Sequence, residues 1–249
     1  PSISSSYSFL AASISAGSSI SRMADRAITL PAYSIPLWAV SDLPWETTCQ
    51  ECPGVDGAQV AVPLSNLDYG AIPQNQITGV HMNSSDIVDV VILNNVTGDA
   101  YTYGRMVGHT TVISEPGEDG TVEEKYKTSW TLENRNVLKF NEKAGYAGKT
   151  GDLIGAVAGK NGLIISIVEL SEYQVSPADF FERDGRYYVT VKGRTYAVAD
   201  SVECYKTATK SWFDQEDGMD RLRACLAFSS KLTVYIDPVG DKVRIITAN

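Results

Sequence analysis

The chain has 249 residues, of which 43% are hydrophobic and 20% are charged. Its 30 acidic residues outnumber its 21 basic residues, so the formal net charge is −9. This length can bury a sizeable core, and the composition is too apolar for a disordered chain and too poor in cysteine for a disulfide scaffold. The acidic balance disfavours nucleic-acid binding, because phosphate backbones are repelled. No apolar run approaches the roughly 20 residues of a membrane-spanning helix, so we expect no transmembrane segment.

Residues 1–57 are predicted to form a Ser/Pro-rich N-terminal arm and a connecting segment. Because the sequence begins at Pro1 rather than Met, we expect a processed or excised product. Residues 1–21 carry no charge and include ten serines. They fit either a flexible, surface-draped arm or a segment that becomes ordered against a neighbouring subunit. The second interpretation depends on the apolar residues of a candidate assembly arm, which are Ile3, Phe9, Leu10, Ile14 and Ile20.

The four cysteines are Cys49, Cys52, Cys204 and Cys225. The C-x-x-C spacing of the first two matches half a zinc ribbon, but no second such pair completes it. Pro53-Gly54 directly downstream prevents the helix that a thioredoxin-type site needs. This favours a local disulfide or two free thiols, with metal binding as the alternative. Cys204 lies in an alternating strand and Cys225 in a short helical stretch. Both are interpreted as core residues, with a disulfide between them if the protein is exported.

Residues 58–145 are predicted to form a β-rich domain, because short β-branched runs alternate with turn clusters. A buried strand at residues 87–93 precedes a turn at Thr97-Gly98-Asp99, and five acids with Pro116, Gly117 and Gly120 indicate an exposed acidic hairpin tip at residues 115–124. The other predicted strands are Val60–Val62, Ala100–Met106, Lys125–Leu132 and Val137–Phe140.

Residues 146–249 are predicted to form a second β-rich domain with a short helix near residues 219–228. Lys192-Gly193 supplies a two-residue hairpin loop, with glycine where a positive φ is needed, and Pro177–Phe181 could form one helical turn after Ser176. The predicted strands are Leu163–Leu170, Tyr187–Val191, Arg194–Ala199, Leu232–Ile236 and Lys242–Thr247. The predicted fold class is therefore all-β to β-rich α+β, with antiparallel hairpins forming small barrels or sandwiches and little helix.

Gly148-Lys149-Thr150 matches the end of a phosphate-binding loop. The full motif needs glycine where Lys143 stands and a helix after the loop. Gly151 and a strand-like Leu153-Ile154 follow instead, so this segment is predicted to be a turn. His81 and His109, the only histidines in the sequence, are interpreted as residues on strand faces.

Asp214, Glu216, Asp217 and Asp220 are weak calcium candidates around Gly218. Their oxygen atoms suit Ca²⁺, but their spacing does not fit an EF-hand loop, so a solvated loop is the alternative. The strand tyrosines are interpreted as cross-strand packing partners, with a sugar-stacking platform as the alternative; they are Tyr101, Tyr103, Tyr187, Tyr188, Tyr196 and Tyr205. Two carboxylates could also serve glycoside hydrolysis, but no sequence feature selects a pair.

Two stretches carry a resemblance to a known kind of protein. The first is Val90-Val-Ile-Leu-Asn-Asn-Val-Thr-Gly-Asp-Ala-Tyr-Thr-Tyr-Gly104, preceded by Ala71-Ile-Pro and Ile77. The second comprises residues 196–205, Ser211-Trp-Phe213, residues 223–229, residues 232–237 and residues 242–246. Together these stretches, within residues 58–249, resemble β-rich units of large cell-surface proteins of Gram-positive Firmicutes, of the type associated with S-layers and S-layer homology domains. The resemblance implies an exported, non-catalytic envelope or appendage protein, and it supplies no catalytic residues. The chain lacks an S-layer homology segment, so the mode of wall attachment is open.

The leading hypothesis is a non-catalytic structural or assembly protein of a bacterial cell surface, located extracellularly, that binds copies of itself or other cell-surface proteins. It needs no cofactor, although calcium is an option. The alternative is an extracellular glycan- or calcium-binding module. A hydrolase with an unrecognised carboxylate pair is the third interpretation.

Overall fold

The computed structural model describes the chain in segments. These are residues 38–39, 48–53, 57–63, 66–67, 71–72, 74–85, 88–116, 122–139, 146 and 148–249. The candidate assembly arm, with Ile3, Phe9, Leu10, Ile14 and Ile20, lies outside the described residues. Strand is the dominant structure, which confirms the predicted β-rich class. Among the described residues, no helix has the length and apolar character required to cross a membrane.

The first of two compact units comprises residues Pro1–Ala100. Its main sheet has four strands in the order β3-β2-β6-β5, and β1 pairs separately with β4. The strand bounds are β1 Trp38–Ala39, β2 Thr48–Glu51, β3 Val60–Val62, β4 Ala71–Ile72, β5 Ile77–Met82 and β6 Val88–Leu93. Residues up to 57 were predicted to be an arm and a connecting segment without regular structure. In the structure, β2 of this region lies inside the sheet, antiparallel to β3 and parallel to β6.

A buried carboxylate holds the turn after β6. Glu51 is fully buried, and its Oε1 accepts hydrogen bonds from Val96 N at 2.6 Å and Thr97 N at 3.2 Å. The Thr97 hydroxyl donates to the other oxygen of the same carboxylate. Since a buried charge is costly unless it is hydrogen-bonded, these three donors explain why an acid is tolerated beneath the Thr97-Gly98-Asp99 turn.

The second unit comprises residues Tyr101–Asn249 and begins with a five-stranded antiparallel sheet in the order β11-β10-β7-β8-β9. The strand bounds are β7 Tyr101–Pro116, β8 Val122–Glu133, β9 Val137–Lys139, β10 Leu153–Ala158 and β11 Ile164–Glu169. Met106, Leu132 and Ile164 are among the buried residues of its core.

The second sheet of this unit has seven strands. Six follow the order β12-β17-β18-β15-β14-β13, and β16 pairs with β15. The bounds are β12 Ser171–Val175, β13 Phe180–Arg183, β14 Arg186–Val191, β15 Arg194–Lys206, β16 Ser211–Trp212, β17 Leu232–Ile236 and β18 Lys242–Ala248. Lys192 and Gly193 both have positive φ, at 49° and 81°, which confirms the predicted two-residue hairpin loop between β14 and β15.

Helix α1, Gly218–Phe228, covers the core of the seven-stranded sheet with Leu222 and Cys225. It confirms the helix predicted near residues 219–228. The turn predicted at Pro177–Phe181 is a 3-10 turn at Pro177–Asp179, followed by β13, and Asp179 Oδ2 accepts a hydrogen bond from Ser176 N at 2.7 Å.

The observed division of the chain differs from the predicted one. The compact units divide between Ala100 and Tyr101, whereas the sequence pattern placed a boundary between residues 145 and 146. Strand β10 follows that predicted boundary but pairs with β7, with Ile154 opposite Gly104. Residues from both sides of position 145 therefore share one sheet. Local patterns identify strands, but they do not say which distant strands pair.

Candidate functional site

All four cysteines are buried, and none forms a disulfide with another described cysteine. Burial raises the pKa of Cys49 to about 11, and Cys52 Sγ donates to the carbonyl of Gly57 at 3.3 Å. The pKa of the Cys204 thiol is raised well above its usual range by its hydrogen bond to Cys225 and by burial. Because the thiolate is the nucleophile and the metal ligand, these environments favour a core role. The predicted burial of Cys204 and Cys225 is confirmed.

Two of the four acids predicted as weak calcium candidates, Asp217 and Asp220, have partners within the protein. Asp217 Oδ1 accepts from Met219 N at 2.8 Å and from Asp220 N at 3.1 Å, so Asp217 is the N-cap of α1. Asp220 pairs with Arg223 at 3.0 Å one turn along the helix. Asp214 and Glu216 lie in the loop before the helix. Within the described segments no group of three or more His, Cys, Asp or Glu side chains is arranged to hold a metal ion, and calcium binding stays a prediction.

The Gly148-Lys149-Thr150 segment is a turn. Lys149 N donates to Asp152 Oδ2 at 2.7 Å, and Thr150 Oγ1 accepts from Gly108 N at 3.0 Å. Gly151 has a positive φ of 105°, and strand β10 follows instead of a helix. The segment thus lacks the helix N-terminus that a phosphate-binding loop uses.

The strand tyrosines contact aromatic and arginine side chains of the same unit. Tyr188 stacks on Phe181 with ring centroids 5.6 Å apart, and Tyr205 meets Trp212 edge-on at 4.9 Å. Arginine guanidinium groups lie over the rings of Tyr187, Tyr188 and Tyr196, and Tyr101 lies beside Tyr103. These contacts support the interpretation as packing partners. The histidines also lie on strands, where His81 Nδ1 is 2.5 Å from Asp89 Oδ1 and His109 Nε2 is 3.0 Å from Thr131 Oγ1.

The outer part of the β7–β8 hairpin, His109–Pro116 paired with residues 122–129, is called the outer ribbon below. Strand β10 pairs with β7 only over Tyr101–Arg105, and β9 pairs with β8 only over Thr131–Glu133. Beyond those positions, β7 and β8 pair with each other alone among the described strands, out to Pro116 opposite Val122. With a rise of about 3.4 Å per residue, the eight residues of each strand extend the ribbon by about 25 Å.

The two faces of the outer ribbon differ in chemistry. Alternate residues of a strand point to the same face, and directly opposed residues share a face. Val112, Pro116 and Val122 therefore lie on one face together with Thr110, Ser114, Glu124 and Thr128. We call its three apolar residues, Val112, Pro116 and Val122, the apolar ribbon face. Val112 is 55% exposed and Val122 is 72% exposed. The opposite face carries the ion pair between Lys125 Nζ and Glu115 Oε2 at 2.9 Å.

The sequence predicts a hairpin with an acidic tip at residues 115–124, of which residues 117–121 lie outside the described residues. It does not predict how far β7 and β8 extend with no other described strand beside them. One signal in the sequence could have indicated this. Hydroxyl, apolar and charged residues are mixed along both strands of the ribbon, so neither face has the continuous apolar pattern of a buried sheet. A two-stranded ribbon with no third strand is at best marginally stable in water. A further strand along either edge would therefore stabilise this ribbon.

No family model matches this chain, and comparisons with curated proteins and with solved structures found no match.

Proposed function

We propose that this protein is a non-catalytic structural protein of a bacterial cell surface, an S-layer-like or appendage subunit that assembles with copies of itself. The outer ribbon is the observation that carries the proposal. Within the described part of the chain, no further strand pairs with its two edges, and it exposes the apolar side chains of Val112 and Val122. The resemblance of residues 58–249 to β-rich surface-protein units supports the location.

The proposed occupant of the ribbon edge is the N-terminal arm, residues 1–22, of a neighbouring copy. Adding a strand to an open edge supplies backbone hydrogen bonds and buries alternate side chains. Residues 1–21 carry no charge, so they can approach a protein of net charge −9 without repulsion between like charges. Ile3, Phe9, Leu10, Ile14 and Ile20 would supply apolar side chains for the apolar ribbon face.

The test is the assembly state of the full chain, measured by size exclusion with light scattering and by electron microscopy. We expect filaments, sheets or higher oligomers. Val112→Lys should reduce the assembled fraction at least tenfold, because a charge then replaces a methyl-bearing side chain at the contact. Deleting residues 1–22 should have the same effect.

Val137→Lys is the matched control. Val137 is 60% exposed and lies on β9 of the same sheet, away from the outer ribbon, so its replacement should leave assembly unchanged. A full chain that stays monomeric at high concentration would contradict the proposal. The ribbon contact is wrong if Val112→Lys assembles as well as Val137→Lys.

A further inference from the structure

A second candidate site is a cavity of about 560 Å³ inside the second unit. It lies where the chain passes from one sheet to the other, since Leu170 connects the end of β11 to the start of β12. The five-stranded sheet and its preceding turn contribute Tyr146, Asp152 and Glu169, and the seven-stranded sheet contributes Glu172 and Tyr235. Its volume is within the range of about 300–1,000 Å³ typical of small-molecule sites.

Tyr146 and Asp152 form a fixed pair in the cavity wall. The Tyr146 hydroxyl donates to Asp152 Oδ2 at 2.9 Å, and the backbone N–H of Lys149 donates to the same oxygen at 2.7 Å. The ring of Trp130 packs edge-on against Tyr146, with centroids 4.9 Å apart. Gly148 makes room for the pair, since a Cβ there would lie 2.2 Å from the Tyr146 hydroxyl oxygen.

These contacts further stabilise the protonated form of Tyr146. Burial, the hydrogen bond to Asp152 and the nearby charges of Asp152 and Glu169 all raise the pKa of its phenol. The phenol therefore stays protonated and neutral at physiological pH, as a polar group on an apolar ring and not as a base.

Tyr235 occupies the part of the wall formed by the other sheet. It lies directly opposite Glu172 in the β12–β17 pair. Burial and the charge of Glu172 raise the pKa of Tyr235, which likewise favours its neutral form. The cavity thus combines two tyrosine rings with the aliphatic side chains of Ile154 and Ile167 and with three carboxylates.

The charges of the side chains that line the cavity indicate which kind of ligand it can bind. None of the described residues that line the cavity is lysine or arginine, whereas three of them are carboxylic acids, so the described wall offers mainly hydrogen-bond acceptors. Glu169 and Glu172 are exposed and remain hydrated, while the less exposed Asp152 is already satisfied by two donors. The cavity consequently needs no cation to neutralise a buried charge.

We infer that this cavity binds a neutral saccharide. Ionised carboxylates are pure hydrogen-bond acceptors, and sugar hydroxyl groups supply the matching donors. Tyrosine presents an apolar ring with a polar tip, so it can contact the C–H face of a sugar while its hydroxyl remains hydrogen-bonded. The described lining of the cavity shares no residue with the outer ribbon, so saccharide binding does not depend on assembly.

The test is NMR of the full chain with ¹³C-labelled tyrosine, titrated with maltose, cellobiose and N,N′-diacetylchitobiose, and separately with butane-1,4-diamine. We expect at least one disaccharide to shift ring signals that are assigned to Tyr146 and Tyr235 by Tyr→Phe substitution. Tyr235→Ala should weaken its binding at least tenfold. Tyr188→Ala is the matched control, because this tyrosine lies on β14 and stacks on Phe181; its replacement should leave the affinity unchanged.

Three results would overturn the inference. These are no shift with any of the disaccharides, shifts with the diamine alone, and equal affinity in Tyr235→Ala and the unsubstituted chain. If Tyr235→Ala does not fold, as judged by circular dichroism, Glu172→Gln replaces it. That substitution keeps the size of the side chain while removing its charge and an acceptor oxygen, and we expect it to weaken disaccharide binding. Unchanged affinity in Glu172→Gln would likewise contradict the saccharide assignment.

Discussion

Individual buried charges in this protein are explained by their partners. Asp237 and Arg244 are fully buried, with Arg244 Nε 2.5 Å from Asp237 Oδ2. The other carboxylate oxygen accepts from the backbone N–H groups of Val239 and Gly240 in the β17–β18 turn. The guanidinium also lies 5.0 Å from the centre of the Tyr103 ring. One acid therefore holds a turn and neutralises an arginine that sits against the other sheet of the same unit.

Breaking this pair should be costly. Asp237→Asn leaves Arg244 buried without its counter-charge, and we expect the free energy of unfolding to fall by about 3–5 kcal/mol. Urea denaturation measures this. Asp241→Asn is the control, since Asp241 in the same hairpin loop pairs with Arg194 in an exposed position and should change the denaturation midpoint little. Equal midpoints for the two variants would show that the buried pair contributes nothing special.

The raised pKa of the Cys49 thiol makes the free energy of unfolding depend on pH at alkaline pH. Its pKa is raised from 9.0 to about 11 in the folded state because the side chain is buried. The folded state therefore holds the proton more tightly, so this stabilisation is fully present below pH 9 and is lost as the pH rises towards 11. The urea midpoint should fall across this window. Cys49→Ala should show a smaller fall, and an equal fall in both proteins would contradict the argument.

At the scale of the element, α1 depends on its N-cap. Asp217→Ala removes the acceptor for two backbone N–H groups of the first turn, and we expect a loss of about 1 kcal/mol in the free energy of unfolding. Asp214→Ala is the control, because Asp214 lies in the same acidic loop but does not cap the helix. Thermal denaturation with and without Ca²⁺ distinguishes helix capping from calcium binding. If the loop binds calcium, Ca²⁺ should raise the melting temperature of the unsubstituted chain, and both substitutions should reduce that increase.

The elements themselves were largely accessible from sequence. The hairpin around Lys192-Gly193 was predictable because a two-residue loop with glycine leaves few backbone solutions, and α1 was predictable from the helical spacing of Leu222 and Cys225. The ends of β7 and β8 were harder to predict. Val112 has the β-branched side chain typical of a buried strand, and only the folded structure shows that it is exposed.

At the scale of the whole molecule, the position of the unit boundary is testable. A fragment of residues 101–249 retains both sheets of the second unit, whereas a fragment of residues 146–249 lacks β7, the partner of β10. We expect the longer fragment to unfold cooperatively in urea, with dispersed NMR signals. The shorter fragment should expose the edge of β10 and aggregate. If the shorter fragment is as stable as the longer one, the domain boundary lies between residues 145 and 146, as the sequence pattern predicts.

The sequence by itself determined the β-rich class, most of the strands, the short helix and the core role of Cys204 and Cys225, because alternation, turn residues and helical spacing are local properties. Only the tertiary structure decided the order of the strands, the entry of Thr48–Glu51 into a sheet, the unsupported length of the outer ribbon and the cavity that joins Tyr146 to Tyr235. Each of these depends on contacts between residues far apart in the chain. Such contacts form when the gain from burial and pairing exceeds the entropy of closing a long loop, and no short window of sequence records that balance.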